Sequence, residues 1–280
     1  MLRSQGSAIQ WAKLFVKVYG LALHLVRQSD IEAACQLAGL RAGDVAVVHV
    51  SLSRLGYVVG GAETVVRALL NVVGETGSLM APAQTWLNLD PERGVHGLPP
   101  ETWPLLRQEW PGFDPAVTAS IGMGAVAEQI RTWPGSFRSL HPARSWAAIG
   151  AKAADLMAEH DLDDVHGERS PLGAAIRAGA KVVLMGVGYD KCTALHLAET
   201  RTASKDAPTL CERGWLRRSG ERLEVTYTTL KFDDADFPSI GAAFDTEMNG
   251  FPIALGKGEL RIVDAVRLVD FASRWMQEQR

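Results

Sequence analysis

"GDVAVVHVSLSRLG", residues 43–56, carries an apolar run from Val45 to Val50, broken only by His49, and then turns abruptly to small and polar residues. Such a run, without strict alternation, reads as a strand buried on both faces, and the small residues after it form a loop at its carboxyl end. "GGAETVVRALLNVVGETG", residues 60–77, follows with helical spacing, and "SLMAPAQ", residues 78–84, reads as the next strand. The pattern recurs at "AAIRAGAKVVLMGVG", residues 174–188. Repeated strand, helix, strand units predict an α/β fold with a largely parallel central sheet and flanking helices, whose ligands bind beyond the carboxyl ends of the strands.

Upstream, "SDIEAACQLAGL" sets Ser29 and Glu32 at capping-box spacing and stops at Gly39, which predicts a helix that opens the domain. Residues 1–28 are read as an N-terminal extension and residues 29–280 as a single domain. Within the extension Leu14, Phe15, Val18, Leu21, Ala22 and Leu25 fall at helical spacing, while Lys13 and Lys17 interrupt the apolar core that a secretory signal requires. The segment therefore reads as an amphipathic helix, or as a leader or tag left by cloning. Downstream, Trp86, Trp103 and Trp110 stand among prolines and glycines in an aperiodic stretch that ends near Asp114, the mark of a functional loop insertion. Residues 212–230 alternate about Gly220 as a hairpin attached to the main sheet, and residues 258–280 read as a strand followed by an amphipathic helix.

Composition narrows the function classes. Apolar residues make up 47% and charged residues 22% of 280, which suits a folded globular enzyme. A net charge of −3 argues against a general nucleic-acid binder, which needs a basic face to displace counterions. No apolar window is long enough to predict a membrane span. Cys35, Cys192 and Cys211 are odd in number and lack CxxC spacing, so neither a disulfide framework nor a metal site is expected, and a reducing cytoplasm fits.

"TALHLAET", residues 193–200, places His196 and Glu199 on one helical face, with Thr193 a turn earlier. Imidazole beside carboxylate fixes a tautomer and raises basicity, as general-base chemistry requires; a core histidine satisfied by an acid has the same spacing. His49, Ser51, Leu52 and Ser53, with Gly60 and Gly61 before a helix, offer amides to a phosphate-bearing ligand, and "SIGMG" at Ser120 to Gly124 does the same. Neither completes a phosphate-loop motif, so ordinary strand-to-helix connections remain open. "RSLHPARSW", residues 138–146, supplies His141 and Ser145. "HGERSPLG", residues 166–173, reads as a turn with Ser170 capping a helix ahead of Pro171.

Taken in order, "VVHVSLSRLGYVVGGAETVVRALLNVVGETGSLMAPAQTW", "FDPAVTASIGMGAVAE", "RSLHPARSWAAIG", "HGERSPLG" and "VVLMGVGYDKCTALHLAE" resemble the aminoglycoside N3-acetyltransferases, antibiotic acetyltransferases of the AAC(3) type, from about Asp30 to the C-terminal helix. The resemblance implies an α/β fold distinct from the GNAT acetyltransferases, with a smaller hairpin and loop region over the acceptor cleft. It implies acetyl-CoA as donor and the 3-amino group of a 2-deoxystreptamine aminoglycoside as acceptor, with antibiotic resistance as the outcome. His196 becomes the general base, Glu199 its partner, and the Thr193 hydroxyl or amides near Ser51 the donors to the oxyanion. His49, Ser51, Leu52, Ser53, Ser120, Gly122, Met123 and Gly124 fall on the coenzyme A side, with His141 and Ser145 near the donor. Gln84, Trp86, Asp190, Asp233 and Asp236 are expected on the acceptor side, where acidic groups would draw in a polycation. A cytoplasmic monomer or homodimer is expected; a different primary amine as acceptor, or a non-catalytic coenzyme A binder, are the alternatives.

Overall fold

The valine run of residues 45–50 forms the centre of the molecule in the computed structural model, which describes residues 25–280. In chain order the elements are β1 (Leu25–Val26), α1 (Gln28–Leu37), β2 (Val45–Val50), α2 (Leu52–Leu55), β3 (Tyr57–Val58), α3 (Gly61–Val73), β4 (Ser78–Pro82), α4 (Trp103–Glu109), α5 (Ala125–Arg131), β5 (Phe137–Arg138), β6 (Trp146–Gly150), α6 (Ala153–Met157), α7 (Pro171–Arg177), β7 (Lys181–Met185), α8 (Leu195–Thr202), β8 (Thr209–Arg218), β9 (Glu221–Leu230), α9 (Phe237–Met248), β10 (Ile253–Leu255), β11 (Gly258–Asp264) and α10 (Ala265–Gln279). The seven-stranded sheet has the order β10-β11-β7-β2-β4-β6-β5.

Direction within that sheet departs from expectation. Among the described residues, only the β7–β2 and β2–β4 pairings of this sheet are parallel; β11 pairs with β7, β10 with β11, β6 with β4 and β5 with β6 antiparallel. The sheet is mixed, parallel at its centre and antiparallel toward both edges. A buried apolar run reads the same in either direction, so direction depends on how far and across which face the connection travels.

Alternate residues of β2 serve opposite faces. Val45 and Val47 pack with α6 to α10 in one core cluster, whereas Ala46 and Val48 pack with α1, α3 and α5 in the other. Each buried valine or leucine removed from water contributes about 1.5–3 kcal/mol, which explains a strand apolar on both sides.

Two other expectations need adjustment. The hairpin β8–β9 forms, turning at Ser219 (φ 53°) and Gly220 (φ 85°), but it is a separate two-stranded sheet rather than an extension of the main one. It joins the Trp-rich insertion instead, through bridges between Leu89 and Gly214 and between Phe113 and Leu216. Helix α1 begins one residue before Ser29, and Asp30, not Glu32, receives the N-cap backbone N–H, from Arg27 at 2.9 Å. Leu25 lies on β1, which pairs with β3; the helical pattern read from Leu14 to Ala22 falls outside the described residues.

The turn after β7 is clamped from below. Gly241 in α9 lies under Tyr189, where an added Cβ would come 2.0 Å from the ring. The Tyr189 hydroxyl donates to Asp245 on the same helix at 2.6 Å, and Arg261 of β11 donates to the other oxygen at 2.9 Å. Gly241→Ala is expected to destabilise the fold by about 1–3 kcal/mol, the usual cost of overpacking. Urea unfolding tests this, and an unchanged midpoint would contradict the close approach.

Candidate active site

The carboxyl end of the parallel core opens into a cavity of about 980 Å³. β7 delivers its chain there through Gly186, whose φ of 66° and whose 2.7 Å separation between an imagined Cβ and the Ser51 carbonyl require glycine. A tight turn through Tyr189 follows, and then α8, which carries His196 and Glu199. His196 Nδ1 and Glu199 Oε2 are 2.5 Å apart.

Glu199 is 4% exposed and lies beneath the cavity rather than in it. Its Oε1 accepts the Asp233 backbone N–H at 3.0 Å and the Arg280 guanidinium at 2.8 Å. Arg280 is in turn held by both carboxylate oxygens of Asp236 at 2.7 Å. The carboxylate thus meets a backbone amide, a guanidinium and the imidazole, and the contact with Glu199 engages Nδ1 of His196 rather than Nε2. Ring packing fixes the plane: His166 stacks on His196 at 5.1 Å and 15°, while Phe232 and Phe237 approach its ring at 4.9 Å.

A matching family model, described as aminoglycoside 3-N-acetyltransferase, covers residues 47–277. This chain belongs to the aminoglycoside 3-N-acetyltransferase family. Aminoglycoside N(3)-acetyltransferase IX of Micromonospora chalcea is 34% identical over 266 residues, 90% of this chain and 94% of that protein. The crystal structure of the YokD protein from Bacillus subtilis matches with a TM-score of 0.85 and 31% identity over 90% of this chain and 95% of that one. A structure titled as AAC-IIIb binary with CoASH matches with a TM-score of 0.81 and 28% identity over 91% of this chain and 97% of that one. The family's members are acyltransferases.

Of the family-type residues singled out in the sequence, His49, Ser51, Leu52, Ser53, Gly122, Met123, Gly124, Gln84, Trp86, Asp190, Thr193 and His196 all line the cavity. Six do not. The Ser120 hydroxyl donates to Glu128 at 2.6 Å and so serves the start of α5. His141 is wholly buried, its Nδ1 accepting the amides of Ala143 and Arg144 at 3.2 and 3.0 Å. The buried Ser145 hydroxyl donates to the Ala83 carbonyl at 2.8 Å. Glu199 sits behind His196, Asp236 pairs with Arg280, and Asp233 reaches Glu199 and Arg280 through its backbone while its carboxylate accepts the Ala235 N–H at 3.0 Å, leaving Asp234 on the wall.

The acidic cleft therefore does not form as expected. Among the described residues, Arg54, Arg93, Arg144 and Lys191 line the cavity against only Asp190 and Asp234, because Glu199 is buried, Asp236 is committed to Arg280 and the Asp233 carboxylate bonds the Ala235 amide off the wall. Ser51 is also unavailable as an amide donor, since its N–H bonds the Met185 carbonyl at 2.9 Å. Among residues not singled out beforehand, His166 matters most. Ser170 caps α7 as its segment predicts, accepting from Leu172 and Gly173, and the same turn delivers His166 against His196. Arg280 lies 81 positions from Glu199, and no local pattern links them.

Burial, the largest cause, pushes His49 and His160 from 6.5 down to about 4 and holds His141 and His166 well below 6.5; His196 adds a smaller push on His49 and His166. These rings stay neutral in the folded protein but take up protons once unfolded. Stability is thus complete above about pH 6.5 and is lost as pH falls toward 4, because the unfolded chain binds more protons there. The thermal midpoint, followed by circular dichroism, is expected to fall steadily across that window; a midpoint independent of pH would contradict the buried neutral set.

Proposed function

We propose that the chain transfers the acetyl group of acetyl-CoA to the 3-amino group of a 2-deoxystreptamine aminoglycoside, with His196 as general base. The observation that carries this reading is the 2.5 Å His196–Glu199 contact with His196 on the cavity wall, in a chain of this family. The cavity suits a coenzyme A donor: Ser51, Ser53 and Gly122 to Gly124 present small residues and backbone on one wall, and Arg54 and Lys191 add positive charge for phosphates. When bound, acetyl-CoA supplies a thioester, an activated acyl group.

His196 Nε2 removes a proton from the substrate ammonium, so that a neutral amine becomes the nucleophile. Glu199 keeps the imidazole in the tautomer that can do so and offsets the positive charge it gains. Thr193, one turn before His196 and on the cavity wall, supplies a hydroxyl toward the developing negative charge, the role that the Ser51 amide cannot fill. Acetylation removes one positive charge and one donor from the drug, which weakens its hold on ribosomal RNA and confers resistance. The residues from 29 to 280 act as one catalytic domain, working in the cytoplasm beside its donor and the drug's target.

The basic excess on the cavity wall favours a second reading over a non-catalytic binder, namely N-acetylation of a primary amine less highly charged than an aminoglycoside. Thiol release from acetyl-CoA in the presence of gentamicin, apramycin and an unrelated amine separates the two. His196→Ala is expected to lose at least about 100-fold in kcat/KM, the lower range for general acid–base catalysis, and Glu199→Gln a smaller factor. Retention of more than about a tenth of wild-type kcat/KM by His196→Ala would contradict the base assignment.

A further inference from the structure

Glu212 on β8 is almost wholly buried, at 1% exposure, and one carboxylate answers two guanidiniums. Arg144 holds it in a two-armed pair, one arm at 2.8 Å, and places its own guanidinium carbon 4.8 Å from the Trp86 ring centre. Arg93 adds a longer contact of 3.4 Å and leaves 37% of its side chain exposed. Both arginines line the cavity. Among the described residues, two cations sharing one buried anion leave one positive charge uncompensated, and Arg93 is the member open to a ligand.

The frame that presents Arg93 is rigid. It ends the short turn Pro91–Arg93, whose N-cap Asp90 accepts from Glu92 at 3.0 Å and is gripped by Arg107 and Arg213, each at 2.8 Å. The turn belongs to the Trp-rich insertion, and Glu212 belongs to the hairpin that the insertion pairs with. Arg144 is close enough to His166 to help keep that ring neutral, and His166 stacks on His196. The fixed charge thus lies where the insertion meets the cavity.

We propose that Arg93 acts as a charge filter on the acceptor: the part of the substrate lodged between Trp86 and Arg93 carries a hydroxyl rather than an ammonium group. This rests on the reading of the site as an aminoglycoside N-acetyltransferase and names which members of that class it accepts best. An ammonium within several ångströms of a guanidinium in a partly solvated site is disfavoured by about five- to tenfold in affinity, and salt screens the effect.

The test uses two matched pairs, neomycin with paromomycin and kanamycin B with kanamycin A, in which one amino group is exchanged for a hydroxyl on a common scaffold. Calorimetry with coenzyme A present gives Kd for wild type and for Arg93→Gln, a change at a part-exposed side chain that leaves the Arg144–Glu212 pair in place. The variant is expected to bind the amino member of at least one pair about five- to tenfold more tightly, with the hydroxyl member nearly unchanged and the gain shrinking at about 0.5 M salt. Among turnover constants, KM should follow Kd while kcat stays constant. Unchanged or weaker binding of all four drugs by the variant, or equal tightening of both members in both pairs, overturns the filter. Wild-type protein that binds the drugs but releases no thiol from acetyl-CoA contradicts the acetyltransferase reading instead, and the Kd comparison still decides the filter.

Discussion

Glu199 sets the terms for the rest of the site. A carboxylate with almost no contact with water costs several kcal/mol to desolvate unless donors meet it, and here a backbone amide, a guanidinium and an imidazole do so within 3.0 Å. Each donor comes from a different part of the chain: Asp233 after the hairpin, Arg280 after α10, and His196 from one turn earlier on α8. Glu199 thereby engages Nδ1 of His196, a residue that lines the cavity. The same contact explains why Asp236 is absent from the cavity wall, since it neutralises the far side of Arg280.

The fold brings those pieces together at one edge. The parallel trio β7, β2 and β4 aligns three carboxyl ends, and the β2–β7 ladder closes where the Ser51 N–H bonds the Met185 carbonyl. Beyond that point, Tyr189 and α9 hold the turn that starts α8. On the opposite wall the insertion and the hairpin stabilise each other through Asn88, whose buried amide donates to the Pro142 and Trp215 carbonyls at 3.0 and 2.6 Å and accepts from Trp110 at 3.0 Å. One wall is thus built from backbone at strand ends, and the other from long side chains on an added layer.

Much of this was legible in the sequence because it is local. The apolar run at Val45, the N-cap at Ser170, the turn at Gly220 and the three-residue spacing of His196 and Glu199 each depend on neighbours within a turn or a strand. What escaped depends on contacts across the chain. Strand direction at the sheet edges is set by connections, not by the strands' own patterns. Arg280 reaches Glu199 only because α10 packs beside α8. The turn of "HGERSPLG" is readable as a cap, but the stacking of His166 on His196 appears only after α7 and α8 meet the sheet. Counting acidic residues near the site also misled, because burial and pairing with Arg280 removed Asp236 and Glu199 from the balance that a ligand would encounter.

The proposal of direct acyl transfer to an amine at the end of β7 rests on the family, the cavity and the His196–Glu199 pair. The measurement that bears most directly on that account is NMR assignment of the product formed from acetyl-CoA and gentamicin by the wild-type protein. The account predicts a single acetyl group on the 3-amino nitrogen of the deoxystreptamine ring. Acetylation at another nitrogen, or recovery of unmodified drug alongside acetylation of an unrelated amine, would contradict it.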